Sequence, residues 1–252
     1  MKLKQLFSLL ILIGISINLE GQDKVASGVY SWPSIKKGEK EIFSGSSTHF
    51  QSMELNAVAL KSGKRYKENY TDSEFEYMLI VKAGEVEVSL NEATSTVGSG
   101  SIMLVLPGDT WSLKNADTKT SEFYILKYKS KSKPDPTRGA ESGGSIVLDF
   151  DKLEYNEHDR GGIRNYFRRK TTMCPYYEMH VTNLNGGIKS HEPHTHKAAE
   201  IVLMIKGDTG MQIGNNFFQG SEGDIYFLES DISHAIENTG TEQCMYFAYQ
   251  WE

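Results

Sequence analysis

The sequence predicts an all-β protein built from two copies of one β-barrel domain. Short β-branched runs such as Met78–Val81 are bounded by turn residues, which is typical of strands in a compact sheet. Outside the N-terminal segment, the chain contains no long stretch with the 3.6-residue period of an amphipathic helix. The sequence also matches itself at an offset of 123 residues, which places Gly84 on Gly207 and Gly100 on Gly223. A duplicated β domain accounts for all three observations.

The first element is typical of a secretory signal peptide. Lys2 and Lys4 precede an apolar run from Leu6 to Ile17, which is short for a membrane span. We predict that residues 1–21 are cleaved on export, which leaves a periplasmic or secreted protein with no membrane attachment. A retained N-terminal anchor is the alternative.

The repeat sets the domain boundaries. The first barrel is predicted over residues 28–128 and the second over residues 145–252. Between them, residues 129–144 are rich in Lys, Ser, Pro and Gly, which predicts a linker that buries little surface. The run Glu85–Leu90 begins Glu-Val-Glu-Val, which predicts a strand with one wet and one dry face. Residues 156–169 are the segment whose secondary structure is most ambiguous.

Charge and cysteine usage narrow the choice of partners. The formal net charge is −6 and the isoelectric point is near 5.7, so the chain lacks the basic footprint of a nucleic-acid-binding protein. Small molecules are the expected partners, and exposed barrel edges favour a homodimer. The two cysteines, Cys174 and Cys244, either form one disulfide or remain two buried thiols, and their spacing leaves both alternatives open.

Four side chains in the second copy predict a metal site. His194 and His196 are two residues apart, so their imidazoles point to the same side of an extended strand. The carboxylate of Glu200 follows four residues later, and His234 lies beyond a strand that leads into a turn. Three neutral imidazoles and one carboxylate suit a divalent ion such as iron, manganese, nickel, copper or zinc.

These residues resemble the paired motifs of the cupin superfamily. The motif residues, in chain order, are His194, His196, Glu200, Gly207, Gly223, His234 and Asn238. The resemblance implies two tandem cupin barrels, the jelly-roll or double-stranded β-helix fold, with one metal ion bound by the three histidines and the glutamate. The second motif departs from the family at Glu229 and Asp231, which stand where Pro and Gly are usual.

The offset of 123 residues tests each predicted ligand against the first copy. It pairs His194 with Thr71, His196 with Ser73, Glu200 with Tyr77 and His234 with Trp111. A hydroxyl is a weak donor for such ions and an indole is none, so the first barrel is predicted to lack a transition metal. Its expected role is architectural. A separate ligand site that uses Trp111 as a stacking platform is the alternative to simple packing.

His180 is a candidate catalytic residue on a strand whose facing is undecided. One alternative turns an apolar set into the cavity, and the other turns a polar set inward. The apolar set is Tyr177, Met179 and Val181; the polar set is Glu178, His180 and Thr182. We favour the apolar set, whereas the polar set would place a general acid or base beside the metal.

Two further candidates have weaker support. His191 precedes the metal motif and is either a neighbour of the metal, a substrate contact or an exposed loop residue. Arg168 lies in the locally basic stretch 160–170, which we favour as a charged edge strand. The alternative is that Arg168 projects into the barrel mouth and binds a carboxylate in bidentate fashion.

The predicted function is that of a metal-dependent enzyme acting on a small oxygen-rich carboxylate or carbonyl compound. The cupin resemblance permits lyases, isomerases, hydrolases and dioxygenases. One candidate resembles the uronate-linearising cupins of pectin and alginate degradation, which act on sugar acids from polysaccharide breakdown. A flavonol-cleaving type of dioxygenase is an alternative, although that group usually has four residues between the second histidine and the glutamate. A non-catalytic sugar-binding or storage protein is another.

Overall fold

The computed structural model describes residues 23–252 and is built almost entirely from β-strands. This confirms the all-β prediction. The predicted signal peptide lies outside the described residues. Among the described residues, no helix is long and apolar enough to cross a membrane.

The strands fall into two series. The first series is β1 (Gly28–Tyr30), β2 (Gly38–Gly45), β3 (Phe50–Leu60), β4 (Arg65–Thr71), β5 (Glu76–Ala83), β6 (Val86–Leu90), β7 (Ala93–Val97), β8 (Ile102–Val105), β9 (Thr110–Asn115) and β10 (Ser121–Ser130). The second series is β11 (Ile146–Leu148), β12 (Asn156–His158), β13 (Gly161–Arg169), β14 (Tyr177–Leu184), β15 (Ala199–Lys206), β16 (Thr209–Ile213), β17 (Asn216–Gly220), β18 (Ile225–Leu228), β19 (His234–Asn238) and β20 (Cys244–Trp251). Strand β10 extends to Ser130, and the predicted linker beyond it contains the short helix α1 (Pro136–Glu141), capped by the Asp135 side chain. A 3-10 turn follows at Phe150–Lys152.

Four antiparallel sheets are formed by these strands. The six-stranded sheet has the order β11-β8-β5-β10-β3-β2, and the seven-stranded sheet has the order β1-β18-β15-β20-β14-β13-β12. The two large sheets share one apolar core that includes residues of both halves. Each also shares a second core with a small sheet of its own half, β4-β9-β6-β7 or β17-β16-β19. Glu200 and His234 lie on β15 and β19, the strands that contribute Val202 and Ile236 to the second core of the second half.

The repeat is visible strand by strand. Strands β5 to β8 and β15 to β18 begin and end 123 residues apart, as Glu76–Ala83 and Ala199–Lys206 illustrate. Strands β3 and β14 are instead offset by 124 residues, because Asn56 and His180 occupy the same register position opposite Ile125 and Ala248. One residue is therefore gained or lost between these strands and the next.

The two halves exchange edge strands. Strand β1, in the first half, pairs with β18 and completes the seven-stranded sheet, whereas β11, in the second half, pairs with β8 and completes the six-stranded sheet. Each exchange covers a sheet edge that would otherwise expose unpaired backbone groups. Each large sheet therefore contains one strand from the other half of the chain.

Aromatic side chains dominate the contact between the two large sheets. Phe50 stacks on Trp251 with ring centroids 5.0 Å apart, and both are fully buried. The Tyr124 hydroxyl donates to the Gly223 carbonyl at 2.8 Å, and the Tyr166 hydroxyl donates to the Gly100 carbonyl at 2.6 Å. Since Gly100 and Gly223 are repeat partners, these bonds tie the halves together in a nearly reciprocal way.

Both cysteines are buried and free. Cys174 and Cys244 form no disulfide in the structure. Burial raises the pKa of both thiols, which keeps them protonated and unreactive. Of the two alternatives, the structure has the two buried thiols.

Candidate metal centre

The four predicted ligands lie together in the second half. His194 and His196 precede β15, Glu200 is the second residue of β15, and His234 is the first residue of β19. One ligand nitrogen from each histidine lies within 4.8 Å of the other two. The Glu200 Oε2 atom lies 3.3 Å from Nε2 of both His196 and His234. The structure thus assembles the donor set of a divalent metal ion.

A break in the small sheet places His194 opposite His234. In the first half this position belongs to β4, which pairs with β9. In the second half the pairing is reduced to two isolated bridges, of which one joins His194 and His234 through backbone bonds of 3.1 and 3.0 Å. Directly opposed residues in such a pair carry neighbouring side chains. The bridge therefore sets two imidazoles side by side, with ring centroids 4.6 Å apart.

This pairing corrects the predicted correspondence with the first half. His194 faces His234 as Tyr70 faces Trp111, so its equivalent is Tyr70 and not Thr71. His196 likewise corresponds to Asp72 and not to Ser73. Backbone hydrogen bonds show this correspondence: the His196 carbonyl accepts from the Asp231 N–H, and the Asp72 carbonyl accepts from the Gly108 N–H. The reason is one additional residue in the first half between β4 and β5.

The equivalent place in the first half holds a hydrogen-bonded aromatic cluster. The Tyr77 hydroxyl donates to Asp72 Oδ2 at 2.7 Å, and the Tyr70 hydroxyl donates to the same atom at 3.2 Å. Trp111 is only 2% exposed, and its ring centroid lies 5.5 Å from that of Tyr77. Trp111 therefore packs in the core and offers no open face for stacking. None of these four equivalents is a histidine.

The departures from the cupin motif preserve the turn before His234. Asp231 adopts a left-handed backbone with φ of +60°, a conformation that glycine favours and Asp tolerates. Its repeat partner Gly108 has φ of +94°. The Glu229 carboxylate accepts hydrogen bonds from the Thr48 backbone N–H at 3.0 and 3.1 Å. The turn is thus held by the first half of the chain.

Two backbone carbonyls fix the tautomers of His196 and His234. The Nδ1 atom of His196 lies 2.8 Å from the Ala198 carbonyl, and that of His234 lies 2.8 Å from the Ile232 carbonyl. Because a carbonyl only accepts, Nδ1 must carry the hydrogen in both rings. The lone pair of each neutral ring is then on Nε2. Both Nε2 atoms are buried and make no hydrogen bond within the described chain.

The charge on Glu200 completes the arrangement. Burial alone would raise the pKa of Glu200, but His196 and His234 outweigh it and lower the pKa to about 2. When both rings are neutral, the carboxylate faces two nitrogen lone pairs at 3.3 Å, a repulsive contact that a cation, either a proton or a metal ion, stabilises. The carboxylate in turn raises the pKa of His196, so a proton competes for the same place. The donor set fits a metal ion.

His194 differs from the other two histidines because it is exposed. Partial loss of solvent around the ring and the neighbouring imidazoles lower the pKa of His194, which keeps it in the neutral form that binds metals. His191 packs edge-on against it with ring centroids 4.3 Å apart, and its Nδ1 donates to the Glu192 carbonyl at 3.0 Å. His191 therefore flanks the cluster.

A cavity of about 190 Å³ opens beside the cluster. Its lining residues are His180, Thr182, Ser190, His191, His194, Glu200, Val202, Met211, His234, Ile236, Tyr246, Ala248 and Gln250. The lining combines imidazole, hydroxyl and amide groups with a few apolar side chains. Such a mixture suits a small oxygen-rich molecule.

The facing of β14 is the reverse of the favoured prediction. His180 and Thr182 line the cavity, whereas Tyr177, Met179 and Val181 lie in the core between the two large sheets. The apolar face is apolar because it meets the other half of the chain, not because it lines the pocket. Alternation shows that a strand has two faces, but not which neighbour covers each.

Arg168 does not project into the cavity. Its side chain is 74% exposed and its Nε atom lies 3.3 Å from Glu178 Oε2. The guanidinium also lies over the ring of Tyr176, 5.4 Å from its centroid. The geometry therefore disagrees with the alternative of a carboxylate clamp and agrees with the favoured prediction of a charged residue that points to solvent.

Sequence reasoning missed several cavity residues and one supporting residue. Tyr246, Ala248 and Gln250 line the cavity at alternate positions of β20. The alternation is visible in the sequence, but it identifies cavity residues only when the strand face that meets the cavity is known. His49, from the first half, lies 3.0 Å from the Lys197 carbonyl and 2.9 Å from the Ser230 hydroxyl. It joins the two loops that carry the histidines.

The family comparison agrees with this site. Residues 180–249 match the family model described as the cupin domain. The matched range lies within the second half of the chain and includes all four candidate ligands. Among curated proteins, no sequence matches the chain.

Solved structures share the fold of almost the whole chain. A protein described as glyoxylate-induced, from Pseudomonas aeruginosa, is 15% identical with a TM-score of 0.68, over 92% of this chain and 84% of its own. Oxalate decarboxylase from Lactobacillus farciminis, solved with formate, is 15% identical with a TM-score of 0.66, and the match covers 91% of this chain and 87% of the decarboxylase. Oxalate decarboxylase from Bacillus subtilis, a protein with Mn(II) centres, is 14% identical with a TM-score of 0.66, and the match covers 92% of this chain and 79% of the decarboxylase. At this identity the similarity shows a common fold.

Proposed function

We propose that this protein is a metal-dependent cupin enzyme that acts on a small oxygen-rich carboxylate or carbonyl compound. One observation carries the proposal: two imidazoles, fixed with Nε2 unprotonated, face the buried Glu200 carboxylate without a hydrogen bond. Together with His194, these residues would hold one divalent ion, either iron, manganese, nickel, zinc or copper. Such an ion would supply a Lewis acid that binds and polarises a carbonyl or carboxylate oxygen.

The cavity lining limits the substrate. Among the described residues that line it there is no lysine or arginine, so an anionic substrate would meet its opposite charge only at the metal. Ser190, Thr182, Tyr246 and Gln250 provide hydrogen bonds for hydroxyl and carbonyl groups. The small cavity favours a short acid over a large polyphenol, and a sugar acid or an unsaturated uronate is within this class. The oxalate decarboxylases of the same fold support a small carboxylate.

We further propose that the chain consists of two tandem cupin barrels with a metal site in the second alone. The common strand order of the two large sheets supports this organisation. The hydrogen-bonded Tyr70, Asp72 and Tyr77 cluster in the first half supports a purely architectural role there. Residues 1–21 are proposed to direct export, which N-terminal sequencing of the mature protein would test.

Elemental analysis tests the metal proposal. The full chain purified without added metal, and then titrated with each of the five ions, is expected to bind one ion per chain. His196→Ala should lose most of this affinity. A wild-type protein that stays empty throughout the titration would overturn the proposal.

Ligand binding to the loaded protein tests the substrate class. Oxalate, glyoxylate, unsaturated uronates and sugar acids are the probes, with a flavonol as the large comparison. Ala248→Ile, which introduces the residue of the equivalent position 125, should keep the metal but lose the ligand because it fills the cavity. Dependence of turnover on dioxygen would favour a dioxygenase, and unaltered ligand binding by His196→Ala would favour a non-catalytic binding protein.

A further inference from the structure

His180 is a titratable group in the cavity that the metal cluster does not use. It lies on β14 opposite Ala248, and Ala248 lies opposite Val202 on β15. Val202 and Glu200 are two residues apart and therefore share a face of the sheet. The small side chain of Ala248 leaves open space between His180 and the metal end of the cavity. All four residues line that cavity.

The carboxylate of Glu178 lies on the Nδ1 side of the His180 ring. The Nδ1 atom of His180 lies 3.6 Å from Glu178 Oε1, is inaccessible to solvent and has no hydrogen-bond partner in the described chain. Glu178 precedes His180 by two residues on the same face of β14. Its Oε2 atom accepts from the Tyr176 hydroxyl and pairs with Arg168 Nε at 3.3 Å. The carboxylate is thus held in place on its far side.

The first half contains an equivalent pair of residues, in which an asparagine that cannot titrate replaces the histidine. Asn56 occupies the register position of His180, and Glu54 occupies that of Glu178. There the Asn56 amide donates to Glu54 Oε1 at 2.6 Å and to Glu39 at 2.8 Å. The amide closes a hydrogen-bonded network in a half that has no histidine cluster. The imidazole stands at the same place only in the half that has the cluster and the cavity.

We propose that His180 transfers a proton to and from a ligand bound at the metal, and that Glu178 is the positioning residue that orients its ring. This inference rests on the proposed function. The ligand class is a small 2-oxo acid or related carbonyl compound with an acidic C–H beside the carbonyl. That C–H bond breaks, its electron pair forms a C=C bond as the π pair of the carbonyl moves to the oxygen, and the proton passes to Nε2 of His180. The same nitrogen returns the proton to carbon, so no oxidant or reductant is needed.

The surrounding charges are consistent with this role. Burial lowers the pKa of His180, which leaves the ring neutral at pH 7 and able to accept a proton, while Glu200 and Glu178 oppose the shift. The other titratable groups that line the same cavity are His191, His194, His234 and Tyr246. A carboxylate on the Nδ1 side favours a hydrogen on Nδ1 and a free lone pair on Nε2.

Hydrogen exchange into pyruvate tests the proposal. The zinc-loaded full chain is incubated with pyruvate in D₂O, and deuterium incorporation is followed by mass spectrometry. The wild type is expected to accelerate exchange, and His180→Asn should reduce the rate by about 100-fold or more, the size of a general-base contribution. Asparagine is the matched variant because the first half holds it at this position. Bound zinc, measured in the same samples, should be unchanged.

The role of Glu178 has a separate readout. Glu178→Gln should reduce exchange by about tenfold and move its pH profile to lower pH, because the carboxylate raises the pKa of His180. Histidine ring NMR should show hydrogen on Nδ1 of His180 in the wild type and loss of this preference in the variant. Equal exchange by His180→Asn and the wild type, or a loaded wild type that does not catalyse exchange, would overturn the inference. Failure of the wild type to bind any of the five ions would instead overturn the proposed metal site.

Discussion

At the scale of the residue, hydrogen bonds to the backbone determine the chemistry of the histidines. His196 and His234 each donate through Nδ1 to a carbonyl two residues away in the sequence. This local geometry leaves Nε2 free in both rings and aims it at Glu200. Ligand orientation of this kind lowers the reorganisation needed when a metal binds.

Glu200→Gln should weaken metal binding strongly. The substitution keeps the shape but removes the negative charge that offsets the ion. Loss of residues that only orient ligands already costs about 10- to 100-fold in affinity, so we expect at least about 100-fold here. Competition titration against a chelator measures the change. Glu237→Gln, on the same strand as His234 but outside the cluster, is the control and should bind as the wild type does.

At the scale of the element, the turn between β18 and β19 shows how a motif tolerates substitution. The cupin motif usually has glycine at the position of Asp231. The backbone of Asp231 is left-handed, with φ of +60°. Aspartate is among the residues that adopt this conformation at modest cost. The first half retains the expected residue as Gly108. The backbone path, rather than the residue type, is what the site requires.

Asp231→Gly and Asp231→Val should separate strain from side-chain chemistry. Glycine relieves the left-handed strain but adds entropy to the unfolded chain, so we expect the free energy of unfolding to change by less than about 1 kcal/mol. Valine at positive φ should destabilise by more than about 1 kcal/mol because it is β-branched. Denaturant titration measures both. Equal stability of the two variants would show that the turn adopts another conformation in solution.

At the scale of the whole molecule, Glu76 links stability to pH through the contact between the halves. This carboxyl is fully buried at the start of β5, and it accepts from the Tyr128 hydroxyl and the Met173 backbone N–H at 2.7 Å each. Burial raises its pKa from 4.5 to about 7 despite these bonds. The folded state therefore prefers the protonated acid, which contributes stability below pH 4.5 that is lost as the pH rises through 7.

Glu76→Gln should remove that pH dependence. Glutamine imitates the protonated acid, so the variant should exceed the wild type in unfolding free energy above pH 7 by up to about 3 kcal/mol, from 1.36 kcal/mol per pKa unit. The difference should shrink as the pH falls toward 4.5. Denaturant titrations at several pH values measure it. Glu74→Gln, an exposed neighbour paired with Lys129, is the control and should leave the pH dependence unaltered.

Local patterns in the chain were sufficient for much of this architecture. The short strands, the repeat and the histidine motif depend on neighbours within a few residues, where alternation and turn chemistry act. The offset between the halves was predicted correctly for β5 to β8, where Glu76–Ala83 and Ala199–Lys206 match. It was wrong by one residue before β5, because glycine positions cannot show where a single residue is inserted in a loop.

The sequence by itself determined that the chain is a duplicated β protein and which four residues are candidates for a metal. Only the tertiary structure decided which face of β14 meets the cavity, that Arg168 points to solvent, and that His49 supports the site from the other half. The physical reason is that a strand always offers two faces. Which of them is covered by the partner sheet, and which by the cavity, depends on contacts between the two halves of the chain.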